Sequence, residues 1–166
     1  MEPCLSEVQK MVQELLRRVR SMSLDLRPSM LDDLGLLPAL LWHFDRFTTQ
    51  TNIRVKFRHD GLNTRFRPEV ETAAYRIVQE GLTNVARHAC INNVEVIFKA
   101  DREKILIRIE DKGVGFDYAS ARASGDSAGL KGMNERLSML AGRMTIDSTP
   151  GIGTKLTAII PLEGSS

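Results

Sequence analysis

Four polar side chains, Glu80, Asn84, Arg87 and His88, stand at i, i+4, i+7 and i+8 in the stretch 75–89. At 3.6 residues per turn they lie along one helix face. A carboxylate, a carboxamide, a guanidinium and an imidazole in a row suit a hydrated divalent ion and a phosphate chain. Asn84 points most clearly to such a site. A hard cation such as Mg²⁺ takes few protein oxygens and keeps waters and phosphate oxygens as its other ligands. A neutral amide oxygen suffices, because the phosphates already supply negative charge. Asn is a poor helix former, and a mid-helix Asn flanked by polar partners favours function over surface solvation. Glu80 could accept a proton from a nucleophile or orient a water; a surface carboxylate has the same spacing. Arg87 and His88 could touch phosphate oxygens, Arg87 through its fork of donors. His88 fits equally a helix-end histidine bonded to backbone.

Three glycine-bearing turns follow. Asp111-Lys-Gly-Val-Gly115 puts a carboxylate at the end of an expected strand. If dry, that carboxylate could accept the amino group of a purine. Gly113 and Gly115 let the backbone turn sharply and come close to a flat ring. Gly129-Leu130-Lys131-Gly132 precedes an expected helix. Free N–H groups at a helix start bind anions, and Lys131 adds a cation. Gly151 and Gly153 suit a hairpin, and Thr154 could bond a base directly or through water. Each turn alone is weak evidence, since ordinary turns use the same residues.

Periodicity supplies the elements that must position these groups. Val8, Val12, Leu15, Val19, Met22 and Leu26 are spaced 4, 3, 4, 3, 4, which predicts a helix over 5–26 packed at a shallow angle in a bundle. Pro28 ends it. Residues 29–35 read as a connector. A helix over 36–51 is expected to bury Leu37, Leu40, Leu41, Phe44 and Phe47. Residues 52–59 alternate as a strand with Ile53, Val55 and Phe57 inward. Arg67-Pro68 opens the long helix, whose apolar stripe is Ala74, Ile77, Val78, Leu82 and Val85. Strands are expected over 94–98 and 105–109, a loop over 117–131, a helix over 133–141, and final strands over 143–149 and 154–160. Strands interleaved with long helices imply an α+β fold: one mixed sheet with helices on one face.

Composition bounds the function. The chain has 166 residues, 42% of them hydrophobic, and 23 basic against 21 acidic side chains give a net charge of only +2. That balance offers no case for nucleic acid or an anionic membrane. No apolar run is long enough to span a bilayer, and no signal-peptide layout begins the chain. Cys4 and Cys90 are far apart and read as reduced thiols, so the expected compartment is the cytoplasm.

Taken together, these motifs resemble the catalytic, ATP-binding domain of two-component sensor histidine kinases, of the branch that feeds helix-turn-helix response regulators. Glu80, Asn84, Arg87 and His88 are similar to that family's asparagine box. Asp111 to Gly115 resembles its first glycine box. Gly129-Leu-Lys-Gly-Met-Asn-Glu-Arg136 resembles the second and Gly151-Ile-Gly-Thr154 the last. Residues 26–36 are similar to the segment joining a dimerisation hairpin to the catalytic domain.

The resemblance implies a Bergerat-type two-layer α/β sandwich of the GHKL class, with ATP between the long helix and a lid over 117–131. It implies Asn84 on Mg²⁺ and Asp111 on adenine. Gly129, Leu130 and Gly132 would wrap the phosphates, and Arg87, His88, Gly113, Gly115, Lys131, Met133 and Thr154 would stand among the ATP contacts. Glu80 would be the base that activates a histidine. No histidine here has the family's phosphoacceptor setting, so residues 1–28 are expected as a remnant of the second hairpin helix, 29–35 as a linker, 36–162 as the ATP-binding domain and 163–166 as a tail. The implied partners are the phosphoacceptor hairpin, a response regulator and, in the parent, a second copy of the chain. Two other functions fit the same residues: an ATPase in which Glu80 activates water, and a dimerising module that binds nucleotide without turnover.

Overall fold

The computed structural model describes residues 29–117 and 128–162. The expected helix over 5–26, the tail, and most of the expected lid lie outside the described residues. Among the described residues nine elements follow in order: α1 (Ser29–Leu34), α2 (Leu36–Thr51), β1 (Arg54–Asp60), α3 (Pro68–His88), β2 (Asn93–Ala100), β3 (Lys104–Asp111), α4 (Ala128–Ser138), β4 (Arg143–Thr149) and β5 (Gly153–Pro161).

The five strands form one sheet in the order β1-β2-β3-β5-β4. β1 pairs parallel to β2, and every other pairing is antiparallel, so the sheet is mixed. Alternation assigns its two faces. Val94, Val96 and Phe98 on β2, Ile105, Ile107 and Ile109 on β3, and Leu156, Ala158 and Ile160 on β5 are all buried. Against this face pack α2 at β1, α3 at β3 and β5, and α4 at β4 and β5. Among the described residues these helices pack on this one face, as the sequence pattern implied.

Asp111 continues the buried series 105, 107, 109, so its side chain enters the sandwich rather than solvent and is only 8% exposed. The β3–β5 register sets it directly opposite Thr154.

The long helix begins as expected, with Pro68 in its first turn and Arg67 as N-cap. It buries more than one stripe: Val70, Ala73, Ala74, Tyr75, Ile77, Val78, Leu82 and Val85 are all inside. α2 matches the expected helix at both ends, closed by Asn52 in the left-handed region (φ 59) with its N–H on Thr48 O at 2.9 Å. Its buried face is turned from the expected one. Leu36, Ala39, Leu40, Phe44 and Phe47 are buried, Leu37 is half-buried and Leu41 is exposed.

The expected connector contains a helix. α1 spans six residues and buries Leu31 completely. Its carboxyl end is tied to the domain by Arg65. That guanidinium donates to Leu31 O (3.1 Å) and Asp32 O (3.3 Å). It also grips both oxygens of Glu71 in the first turn of α3, at 3.0 and 3.1 Å. Glu71 is fully buried, and Phe66 N–H adds a third donor at 3.1 Å. A buried carboxylate needs such partners. The hydrogen bond and charge of Glu71 raise the Arg65 pKa above its ordinary value. Gly35 (φ 86) leaves room for the arrangement, since a Cβ there would meet Arg65 Cδ at 2.9 Å.

Candidate nucleotide site

A cavity of about 400 Å³ opens between α3, the start of α4, and the ends of β3, β4 and β5. Gly81, Asn84, Val85, His88 and Ala89 form its helical wall. Ile109, Asp111, Val114, Gly115 and Phe116 form the second wall, Ile146, Thr154 and Leu156 the floor, and Gly129 and Leu130 the far edge. Asn84, His88, Asp111, Gly115, Gly129, Leu130 and Thr154, all singled out in the sequence, therefore meet in one place.

The turn after β3 shapes the cavity. Asp111 Oδ1 accepts Gly113 N–H at 2.9 Å, and no other hydrogen bond to this carboxylate occurs among the described residues. Gly113 itself lies behind the wall. A Cβ on it would come within 2.2 Å of Ala89 O, the carbonyl that receives Val114 N–H at 3.1 Å. The turn is thus pinned to the end of α3. Gly115 (φ 60) passes so close to the β4–β5 hairpin that a Cβ would stand 2.1 Å from Thr149 O. Gly151 N–H reaches Val114 O at 2.6 Å. Phe116 N–H donates to Ser148 Oγ, which also bonds Gly153 O at 3.2 Å and Thr154 Oγ1 at 2.9 Å. Thr154 is held by this chain beside Asp111.

The other expected residues fall elsewhere. Glu80 is half-buried, one position before the cavity wall, against the start of α4; a Cβ on Gly129 would stand 2.0 Å from its Oε1. Arg87 is exposed and does not line the cavity. The reason is angular. From Glu80, residue 87 lies about 20° back around the helix while 88 lies about 80° forward. The cavity takes the face 81-84-85-88, so His88 and Asn84 enter and Arg87 does not.

Gly129 to Gly132, expected ahead of the helix, are already in it, because α4 starts at Ala128. Lys131 is exposed, with Nζ 4.0 Å from Glu135, and Gly132 is half-exposed beside Arg136. Met133 is fully buried in the core. Its place is under α4, as packing, and it is not in the cavity wall.

The apolar lining (Val85, Ile109, Val114, Phe116, Ile146, Leu156) was not named from the sequence as part of a site. Strand alternation carried the signal for two of these: Ile109 shares Asp111's face, and Leu156 shares Thr154's. Gly81 was also passed over. A Cβ there would meet Ile109 Cδ1 at 2.3 Å, so the glycine permits close approach of α3 to β3.

Comparison with known proteins agrees with this architecture. Residues 69–164 match the model of the histidine kinase-, DNA gyrase B- and HSP90-like ATPases. The chain belongs to this family. Within it, the chain groups with the ATP-binding catalytic domains of sensor histidine kinases. It is 39% identical over 158 residues to the signal transduction histidine-protein kinase/phosphatase DegS of Brevibacillus brevis, covering 95% of this chain and 40% of the relative. It is 37% identical over 155 residues to the oxygen sensor histidine kinase NreB of Staphylococcus carnosus, covering 93% and 44%. The chain therefore spans less than half the length of these two relatives.

Solved structures share the fold. The histidine kinase domain of the Erythrobacter litoralis EL346 blue-light activated kinase aligns with a TM-score of 0.60 at 20% identity, over 74% of this chain and 59% of that one. The Acinetobacter baumannii histidine kinase AdeS aligns at 0.62 and 13% identity, over 96% and 84%. The sandwich expected from the sequence is the fold of this family. No described helix is long and apolar enough to cross a membrane.

Proposed function

We propose that the cavity binds ATP and that the chain is the catalytic part of a protein-histidine kinase, which passes the γ-phosphoryl group to a histidine on a separate hairpin for relay to a response regulator. The observation that carries this reading is one cavity with two chemically distinct sets of lining groups. One is a nearly dry carboxylate, Asp111, among apolar residues. The other is Asn84 and His88 of α3 with Gly129 and Leu130 of α4. A purine suits the first, because an aromatic ring gains by burial and its amino group finds an acceptor. Phosphates suit the second, because helix-start N–H groups favour anions.

The chain's own residues divide the work. Asp111 accepts the adenine amino group with the oxygen that Gly113 leaves unbonded, and Thr154 bonds the ring edge. Gly115 lets the backbone approach the base. Gly129 and Leu130 offer backbone N–H to phosphate oxygens, and His88 can donate to the same chain. Lys131 and Gly132 follow in the same helix, and Lys131 adds a cation to its outer face. Arg87 serves from solvent, outside the cavity. The donor set also fits Mg²⁺: one neutral amide, Asn84, with room for waters and phosphate oxygens. When bound, the ion supplies charge neutralisation on the triphosphate. Glu80, one helical turn before Asn84, would accept the proton of an incoming histidine. Positioning and charge stabilisation are what phosphoryl transfer asks of a protein.

Calorimetry with Mg²⁺–ATP tests the site. Asn84→Ala is expected to weaken binding at least tenfold in Mg²⁺ and much less in EDTA, since a lost charge-assisted contact is worth about 1.5–3 kcal/mol. Equal affinity of the variant and the parent chain in Mg²⁺ would defeat the assignment. Acid-labile label from [γ-³²P]ATP is expected on a separately supplied hairpin bearing the histidine and not on this chain alone.

A further inference from the structure

We propose that Ser148, which lies outside the cavity wall, sets the pocket's preference for a 6-amino purine by fixing the Thr154 hydroxyl as a hydrogen-bond acceptor. This role rests on the proposed binding of ATP with its base at Asp111. Ser148 would act through Thr154 and not on the nucleotide itself, as a positioning residue.

Register sets three polar side chains in a row across adjacent strands: Asp111 on β3 opposite Thr154 on β5, and Thr154 opposite Ser148 on β4. Each continues the inward series of its strand, Ser148 after Met144 and Ile146, Thr154 before Leu156 and Ala158, Asp111 after Ile107 and Ile109. Asp111 and Thr154 line the cavity and Ser148 does not.

Hydrogen counting decides how Thr154 is turned. A serine hydroxyl has one hydrogen to give and two lone pairs. Ser148 Oγ has three neighbours: Phe116 N–H at 2.9 Å, Gly153 O at 3.2 Å and Thr154 Oγ1 at 2.9 Å. Phe116 N–H can only donate, and Gly153 O can only accept. All three contacts are made together only if Ser148 gives its hydrogen to Gly153 O and accepts from both Phe116 and Thr154. If Ser148 gave its hydrogen to Thr154, the contact with Gly153 O would have none. Polar groups away from water favour the complete set. Thr154 then directs its own hydrogen at Ser148 and turns lone pairs toward the cavity. Among the described residues Thr154 Oγ1 makes no other hydrogen bond.

Two acceptors therefore stand side by side: Thr154 Oγ1 and the Asp111 oxygen that Gly113 N–H leaves unbonded. The group that matches two acceptors is an amino group, which has two hydrogens to give. A carbonyl in the same place meets only lone pairs. Adenine carries the first at its 6 position and hypoxanthine the second, so ATP should bind better than inosine triphosphate. Sites that reject a mismatched polar group gain selectivity in this way. Ser148→Ala alters this without touching the cavity wall. It frees the Thr154 hydrogen to turn inward and donate to a 6-oxo group. Phe116 N–H also loses an acceptor, so both nucleotides should bind more weakly, and only the ratio of their affinities isolates the role of Thr154.

Isothermal titration of the full chain with Mg²⁺–ATP and Mg²⁺–inosine triphosphate reads that ratio. The parent chain should favour ATP, and Ser148→Ala should narrow the preference about three- to tenfold, the range for one neutral hydrogen bond. Ser148→Thr, which keeps the hydroxyl, should keep the parent's ratio. In a Thr154→Val background Ser148→Ala should no longer move the ratio, because its effect passes through Thr154. The proposal is overturned, with ATP still in the cavity, if Ser148→Ala leaves the ratio unchanged, if Ser148→Thr moves it as much, or if the shift persists without the Thr154 hydroxyl. A parent chain that binds both nucleotides alike overturns it too. Failure of the parent chain to bind either nucleotide would instead overturn the proposed function, and this role with it.

Discussion

Asp111→Asn separates recognition of the base from the architecture of the pocket. The wild-type carboxylate has two jobs on two oxygens. Oδ1 holds Gly113 N–H at 2.9 Å and so fixes the turn; the other oxygen faces the cavity. An amide placed with its oxygen on Gly113 keeps the first bond and replaces the second acceptor by an NH₂ donor. The variant should therefore fold normally, with a melting temperature close to the parent's. Its affinity for ATP should fall, because a hydrogen bond to a charged acceptor is lost and two donors now face each other. Such a bond contributes about 1.5–3 kcal/mol, which is about ten- to a hundredfold in Kd. The new donor matches the carbonyl of guanine, so the preference for ADP over GDP should narrow. Isothermal titration with ATP, ADP and GDP on both proteins measures this directly. Unchanged ATP affinity in a folded variant would refute the placement of the purine at Asp111. Equal loss for adenine and guanine nucleotides would refute the donor–acceptor logic while leaving the pocket.

Gly115, in the turn after β3, and Gly151, in the β4–β5 hairpin, should differ in tolerance: Gly115→Ala, at φ 60 with Thr149 O 2.1 Å from the new Cβ, should lower the melting temperature far more than Gly151→Ala, at φ 79 with nothing within 4 Å. The second substitution carries only the left-handed penalty of about 1–2 kcal/mol, and equal melting temperatures would count against the close approach of the two turns. His43 packs edge-on against Tyr75 with centroids 5.6 Å apart, and burial, then the charge of Arg46, lower its pKa to about 4. Between pH 6.5 and about 4 the unfolded chain binds a proton that the folded one refuses, so stability falls as pH falls, by about 3 kcal/mol at most. Below about pH 4 both states are protonated and this contribution stops changing. His43→Leu should flatten that part of a urea-denaturation series against pH, and an unaltered slope would show that the imidazole is not buried neutral. Arg65→Ala should release α1, seen as faster amide exchange in residues 31–36 with little change in α4; Arg65→Lys should rescue it incompletely, because an ammonium cannot hold both Glu71 oxygens and two carbonyls at once.

The sequence was legible where a local rule and the tertiary context agree. α2 runs from Leu36 to Thr51 as expected because Gly35 and Asn52, both at positive φ, bound it. Strand alternation was enough to turn Asp111 inward with Ile105, Ile107 and Ile109. Three features were hidden, each for a physical reason. α1 is too short to show a helical period and is flanked by Pro28 and Gly35, so only the burial of Leu31 and the reach of Arg65 from 34 residues away reveal it. α4 contains Gly129 and Gly132, poor helix residues; packing of Met133 and Leu137, both fully buried, outweighs that propensity and carries the helix back to Ala128. The site face of α3 was placed one residue too early. Spacing finds a polar stripe, but only the neighbouring β3 strand fixes how far the helix is rolled, through the close contact of Gly81 with Ile109.

That roll has a consequence for how substitutions will act. α3 is at once the central core helix and one wall of the cavity, and the two roles are separated by single positions. Leu82, fully buried, lies between Gly81 and the half-buried Asn84; Val85 serves both roles. A change at Leu82 leaves a hole in the core, which for Leu→Ala costs about 2–5 kcal/mol, and also frees the helix to turn. Because the cavity side of α3 is aligned by small contacts at Gly81 and Ala89, such a turn would carry Asn84 and His88 off the site together. Loss of nucleotide binding on substituting a core residue of this helix is therefore poor evidence that the residue touches nucleotide. Asn84, whose side chain is half-buried and outside the hydrophobic core, can be altered without that confusion, and a magnesium-dependent effect on affinity would separate a ligand from a residue that merely supports one.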